Sequence, residues 1–172
     1  PAARMEDFVT LDDIKTARER IKSAARYTPL IEAPWPALAP QAPKAPLAPA
    51  SLWLKAENLQ PMGAFKIRGA FNMISQLARD SRGVITYSSG NHGQAVALAA
   101  QTLGIPAVIV MPTTAPQVKV DGCRSYGAEV IFAGTTSLDR QKKAEEVAAE
   151  RGFTMVPPFD HRLIIIGQIG RA

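Results

Sequence analysis

The stretch Val84-Ile85-Thr86-Tyr87-Ser88-Ser89-Gly90-Asn91-His92-Gly93-Gln94, running on through Ala95 to Leu103 and halting at Gly104, decides the fold. Val84 to Tyr87 reads as a strand because β-branched and aromatic side chains dominate it. Small polar residues and two glycines follow, then a helical run from Asn91 to Leu103 with Gly104 as its stop. The unit recurs downstream. Ala107 to Met111 reads as a strand, Gln117 to Tyr126 as a helix stopped by Gly127, and Glu129 to Ala133 as a third strand. Thr136 and Asp139 cap a helix that runs to Arg151 and Gly152, and Phe153 to Val156 is a fourth strand. Gly122 is a weak point in the second helix, since glycine lowers helix propensity. Strand and helix alternate three times, which predicts an α/β protein: a parallel twisted sheet with flanking helices and right-handed crossovers. Ligands on such sheets bind beyond the C-terminal strand ends, where Ser88 to Gly93 falls.

Upstream, Thr10-Leu11-Asp12-Asp13 has the form of a capping box, and Ile14, Ala17, Ile21, Ala24 and Ala25 recur at helical spacing before Pro29. Pro34 to Pro49 is rich in proline and alanine, which predicts a loop. Ser51 to Glu57 alternates as a strand, with Leu52, Leu54 and Ala56 on one face. Lys66 to Ala78 predicts an amphipathic helix presenting Ile67, Ala70, Phe71, Ile74 and Leu77 to the core.

At 172 residues, 47% hydrophobic and 20% charged, the composition is that of a folded globular chain and excludes disorder over most of its length. The net charge of +5 raises nucleic acid as a partner. The cations are scattered, however, with Arg18, Arg20, Lys22 and Arg26 set among Asp12, Asp13 and Glu19, which predicts a solvated helix face and no nucleic-acid surface. Cys123 has no second cysteine to pair with and reads as a small core residue. No apolar run reaches membrane-spanning length and no signal-peptide pattern opens the chain, so a cytoplasmic protein away from membranes is the expectation.

The chemistry gathers in two places. In Gly63-Ala64-Phe65-Lys66-Ile67-Arg68-Gly69-Ala70 a lysine stands at the head of a helix, directly after a glycine turn. A lysine that attacks a carbonyl must lose its proton, and burial, a neighbouring cation and a helix N-terminus all push that way. By themselves, Lys66 and Arg68 read as surface cations and Phe65 as a core residue. In Ser88 to Gln94 the glycines admit a ligand close to the backbone, and free N–H groups at the helix start can hold a carboxylate or phosphate. Ser88, Ser89 and Asn91 add side-chain donors. Serine and asparagine also cap helices with no ligand at all, so this stretch alone leaves both readings open. His92 reads as structural, with no partner at metal-ligand spacing.

In order and spacing, Leu54-Lys55-Ala56-Glu57-Asn58-Leu59-Gln60, then Gly63 to Ala70, then Ser88 to Gln94 closely resemble the threonine dehydratase and serine racemase family. Thr28-Pro29-Leu30 and Met111-Pro112 add to the resemblance, which runs from about Leu11 to Gln168. It implies the tryptophan-synthase-β-like fold type II and the cofactor pyridoxal 5'-phosphate. By that resemblance Lys66 bonds the cofactor aldehyde and moves protons, Phe65 packs beside the ring, and Asn91 hydrogen-bonds its phenolic oxygen. Ser88, Ser89, Gly90, Asn91 and His92 cradle the substrate carboxylate, and Ser89 is a second catalytic residue acting on the opposite face in the racemases. The implied reaction is a threonine or serine ammonia-lyase: the α-proton leaves, the β-hydroxyl follows, and hydrolysis yields a 2-oxo acid and ammonia. A serine racemase and a catalytically inactive binding fragment are the alternatives. A nucleotide-binding α/β domain is set aside because no phosphate motif for it is present.

Two departures accompany the resemblance. Ala64 stands where many members have serine, and after Gly167-Gln168 the phrase Ile169-Gly170-Arg171-Ala172 does not continue the family's own. The glycine-rich loop that members use for the cofactor phosphate is not found, so the expectation is an incomplete fold. Residues 1–82 would begin a large domain, 83–158 form a small one, and 159–172 start the return. Self-association as a homo-oligomer is compatible with this reading.

Overall fold

A computed structural model describes residues 9–33, 52–77 and 80–168. The Thr10 capping box forms as predicted and opens α1 (Leu11–Ile21): Asp13 N–H donates to Thr10 Oγ1 at 3.1 Å, and Thr10 N–H donates to the Asp13 carboxylate at 2.9 Å. Ala17 and Ile21 carry the buried side of the helix. After Pro29 the chain enters a strand that the residue pattern did not reveal, β1 (Leu30–Ala33), paired antiparallel with β2 (Leu52–Lys55). The second strand is shorter than the predicted Ser51 to Glu57, because a 3-10 turn over Glu57–Leu59 takes the chain away from its partner. The ribbon leaves Leu30, Ile31, Trp53 and Leu54 about half exposed. The predicted loop over Pro34 to Pro49 lies outside the described residues.

Helix α2 (Ile67–Ile74) departs from its predicted one-sided pattern, since all eight residues are buried, Arg68 and Asn72 included. It lies among α1, a helix following the first sheet strand, and the last helix of the chain. It also ends earlier than predicted. Gln76 Nε2 and Ser75 Oγ both take the Asn72 carbonyl, and Gln76 and Leu77 N–H fall back to carbonyls three residues behind, tightening the last turn. Ala78 lies outside the described residues.

The alternating region folds as β3 (Val84–Tyr87), α3 (Asn91–Leu103), β4 (Ala107–Met111), α4 (Gln117–Ser125), β5 (Glu129–Phe132), α5 (Ser137–Arg151) and β6 (Thr154–Met155). The strands form one parallel sheet in the order β5-β4-β3-β6. Strand alternation splits the core between the faces. Val84, Ile109 and Met111 pack with Ala95, Val96, Val120 and Cys123, whereas Ile85, Val108 and Val110 pack with Ala144 and Val147 on the other side. Each fully buried aliphatic side chain here contributes about 1.5–3 kcal/mol of transfer free energy. The first apolar cluster is continuous with Ile21, Ile67, Phe71 and Ile74 upstream. Gly122, weak by propensity, has a packing reason: the Gln94 amide occupies the space that a Cβ would need. Helix α6 (Arg162–Gln168) returns to pack on α2 and α1.

The strand order reverses direction once. The chain steps outward from β3 to β4 to β5, then crosses by α5 to put β6 on the opposite side of β3. This leaves the C-terminal ends of β3 and β6 as a switch point, the place on an open α/β sheet where loops diverge and a ligand can enter. Among the described residues no helix is long and apolar enough to cross a membrane.

Candidate active site at the exit of β3 and β6

Lys66 sits at the N-terminal edge of α2, after a turn at Gly63 (φ 77°). Its side chain does not cap its own helix. The neighbouring backbone is held instead from α6. With its amide turned so that both ends find partners, Gln168 donates to Phe65 O at 3.1 Å and accepts from Gly69 N–H at 3.2 Å. The half-buried lysine reaches across the molecule, and Nζ donates to Pro158 O at 2.9 Å, just beyond β6. The same Nζ lies 5.4 Å from the centroid of the Phe65 ring. Phe65 and Lys66 therefore stand together at the switch point.

The second stretch begins where β3 ends. Ser88 N–H still donates to Val110 O at 3.0 Å, and its hydroxyl then accepts from Gly90 N–H at 3.2 Å, closing a tight turn. A Cβ built on Gly90 would meet nothing within 4 Å, so the backbone there is open to approach. At Gly93 the reverse holds. A Cβ would lie 2.8 Å from Ile109 Cγ2, so only glycine lets the start of α3 press onto β4. Ser89 is exposed, and its hydroxyl makes no hydrogen bond among the described residues. Asn91, the first residue of α3, is exposed, and its Oδ1 accepts from Lys119 Nζ at 2.7 Å. Lys119 Nζ also donates to Gln94 Oε1 at 3.1 Å.

His92 turns inward and is only 4% exposed. Its Nε2 lies 3.2 Å from Val156 O. A carbonyl accepts, so that nitrogen carries the hydrogen and Nδ1 is the bare one. Burial drives the imidazole pKa down to about 4; the Val156 bond opposes this, and the Lys66 charge adds to it. The ring is thus neutral near pH 7, with Nδ1 a buried acceptor that has no partner among the described residues. Lys66 and His92 are in this way brought to two carbonyls of one short segment, Val156 and Pro158.

Behind the site lies a polar network that the residue pattern did not reveal. Arg68, expected to be a surface cation, forms a bidentate pair with Glu57, Nε to Oε2 at 2.8 Å and Nη2 to Oε1 at 2.8 Å, the side chains being 8% and 11% exposed. Thr28 Oγ1 donates to Glu57 at 2.6 Å, and Gln60 Nε2 donates to Arg26 O at 2.9 Å. Burial raises the Glu57 pKa, but the bonds from Arg68 and Thr28 and the guanidinium charge outweigh it and hold the carboxyl below its usual range. Arg68 is accordingly neutralised by Glu57 and does not serve Lys66 as a free neighbouring cation. Thr28, Glu57 and Gln60 all lie in the motif phrases, and these bonds tie the approach to α2 together.

Lys119 and Gln168 also went unassigned in the sequence. A signal for Lys119 exists: it stands in the first turn of the helix after β4, and helix starts after parallel strands share the ligand edge of the sheet.

A lysine and an open backbone turn thus meet at the switch point of a parallel α/β sheet, the edge at which such sheets take their ligands. Residues 21–172 match the family described as pyridoxal-phosphate dependent enzyme, and the chain belongs to it. Serine racemase of Schizosaccharomyces pombe is 44% identical over 161 residues, spanning 92% of this chain and 47% of the racemase. Biosynthetic L-threonine dehydratase of Haemophilus influenzae is 47% identical over 120 residues, 69% of this chain and 23% of the dehydratase. Among solved structures, a pyridoxal 5'-phosphate-dependent aspartate racemase superposes with a TM-score of 0.84 at 39% identity, covering 92% of this chain and 48% of its own. The chain spans less than half the length of these relatives.

The residues fit the aldehyde end of that cofactor. They present one amine at Lys66, an amide N–H₂ on Asn91 turned away from Lys119, an open backbone at Gly90, and a buried orphan nitrogen on His92.

Proposed function

We propose that the chain carries the lysine-bearing part of a pyridoxal-phosphate-dependent ammonia-lyase acting on threonine or serine. The observation that carries this reading is the shared anchorage of Lys66 and His92 on Pro158 O and Val156 O, beside the turn that follows β3. When bound, the cofactor would supply an electron sink for the carbanion left by α-proton loss. Lys66 would give up the Pro158 carbonyl to hold the cofactor's aldehyde, and Nζ would take the α-proton only after the substrate's own amine had displaced it from that carbon. Phe65 would flank the ring, and Asn91 would donate to its phenolic oxygen. Backbone N–H groups from Ser88 to His92 would hold the substrate carboxylate, as helix starts hold anions. In the same reading residues 1–82 and 159–172 belong to one domain and 83–158 to a second. Cys123 is buried, with burial pushing its thiol up to about 11 against the Lys119 charge, and we place the protein in the cytoplasm.

Adding pyridoxal phosphate to the purified chain tests the reading. A visible absorption band is expected, and Lys66→Ala should abolish it; equal spectra for the two proteins would refute the role of Lys66. A racemase is the second reading, favoured by the exposed Ser89 hydroxyl that no group among the described residues engages. Chiral analysis of recovered serine separates the two, since inversion without any 2-oxo acid would sink the lyase.

A further inference from the structure

Lys119 is the cation of the site that no motif singled out, and its surroundings are unusual for a lysine. Its ammonium meets two amide oxygens, Asn91 Oδ1 at 2.7 Å and Gln94 Oε1 at 3.1 Å, and no carboxylate among the described residues lies within 4 Å of it. An ammonium has three donors and no acceptor, so of the two ends of a carboxamide it can meet only the oxygen. That settles the orientation of the Asn91 amide, which as an exposed group would otherwise turn freely between two nearly isosteric states. With Oδ1 held by Lys119, Nδ2 and both its hydrogens face the other way.

We propose that Lys119 is a positioning residue, fixing the Asn91 amide so that its N–H₂, and not its oxygen, is presented to the cofactor. The inference rests on the reading of Asn91 as donor to the ring oxygen. An amide turned the other way would set oxygen against oxygen, replacing a hydrogen bond with repulsion. Gln94, one turn further along α3, gives the ammonium its second acceptor and keeps Nζ over the start of the helix. Gly122 serves the same arrangement, since the Gln94 amide rests where a side chain on α4 would intrude.

The test is a pyridoxal phosphate titration of the full chain as wild type, Lys119→Met, Lys119→Arg, Asn91→Ala and the Asn91→Ala/Lys119→Met double variant, following the Lys66-dependent band. Lys119→Met should weaken binding about 5- to 10-fold and move the pH at which the band changes form, the loss of one hydrogen bond near a charge. Lys119→Arg should restore both, because a guanidinium donates to the same oxygen. On the Asn91→Ala background, Lys119→Met should change affinity less than about 2-fold. An equal loss on both backgrounds would mean that Lys119 acts on the cofactor directly and would overturn the proposal, as would unchanged binding by Lys119→Met. If wild type shows no Lys66-dependent band, the cofactor reading falls instead. The Asn91 side-chain amide resonances of the cofactor-free chain then decide the pairing. They should shift in Lys119→Met and stay in Lys119→Arg, and resonances unmoved in Lys119→Met would overturn it.

Discussion

Replacing His92 by glutamine should flatten the acid side of this protein's stability curve between pH 6.5 and 4. The imidazole is 4% exposed, and burial first, then the Lys66 charge, take its pKa from 6.5 to about 4 against the pull of the Val156 hydrogen bond. In the unfolded chain the ring titrates near its ordinary value. Within the window the unfolded state therefore binds a proton that the folded state refuses, and stability rises with pH. The neutral ring is fully compatible with folding above pH 6.5, and stability drains away as the pH falls toward 4. At about 1.4 kcal/mol per pH unit, the displacement amounts to about 3 kcal/mol, most of it gone by pH 4.5.

Urea unfolding followed by far-ultraviolet circular dichroism at pH 7, 6, 5 and 4.5 measures this directly, provided the denaturant slope is the same for both proteins. Asp13, Glu57, Glu129 and Asp139 have pKa values held below their ordinary range, so their contributions are also lost as pH falls, but through a lower window and equally in both proteins. The wild-type minus variant difference isolates His92. It should shrink by about 2–3 kcal/mol from pH 7 to pH 4.5. A difference constant to within about 1 kcal/mol would refute a buried neutral ring, and with it the assignment of Nδ1 as a bare acceptor beside Lys66.

Two further substitutions probe what supports the site. Glu57→Gln leaves the Arg68 guanidinium buried without its partner and should cost about 3–5 kcal/mol in the same unfolding assay at pH 7; a loss under about 1 kcal/mol would show the pair to be solvated. Gly93→Ala raises helix propensity yet drives a methyl to 2.8 Å from Ile109 Cγ2, so it should destabilise by about 1–3 kcal/mol, and a more stable protein would contradict the close packing of α3 on β4.

The sheet was legible because its determinants are local. Val84 to Tyr87, Asn91 to Leu103 and Ala107 to Met111 are bounded by glycine, proline and small polar residues, and the observed elements match those bounds. What escaped depends on residues far along the chain. Strand β1 forms because Ile31 opposes Leu54, a pairing that no local alternation announces. Arg68 and Asn72 look like the polar side of an amphipathic helix. They are buried because Glu57 and the Leu163 carbonyl, the latter 91 residues away and 2.7 Å from Asn72 Nδ2, meet them inside. Lys119 reads as one more surface cation until the fold brings α4 against Asn91, 28 positions earlier. Apolar periodicity shows which face is buried, but it is silent on which polar group a buried polar group will find.

The phrase Val156-Pro157-Pro158 shows how one punctuation signal can also shape the candidate site. Strand β6 is two residues long and, among the described residues, its ladder partner is β3, with Thr154 and Val156 N–H donating to Gly83 O and Ile85 O at 2.9 and 2.8 Å. Two consecutive prolines then end the ladder, since neither has an N–H to offer. The carbonyls at Val156 and Pro158 are left as acceptors for side chains, and the two that reach them are His92 and Lys66. The residues that terminate the strand thus create the anchorage on which the proposed chemistry depends. The register of the smallest strand in the sheet fixes where a lysine from α2 and a histidine from α3 come to rest.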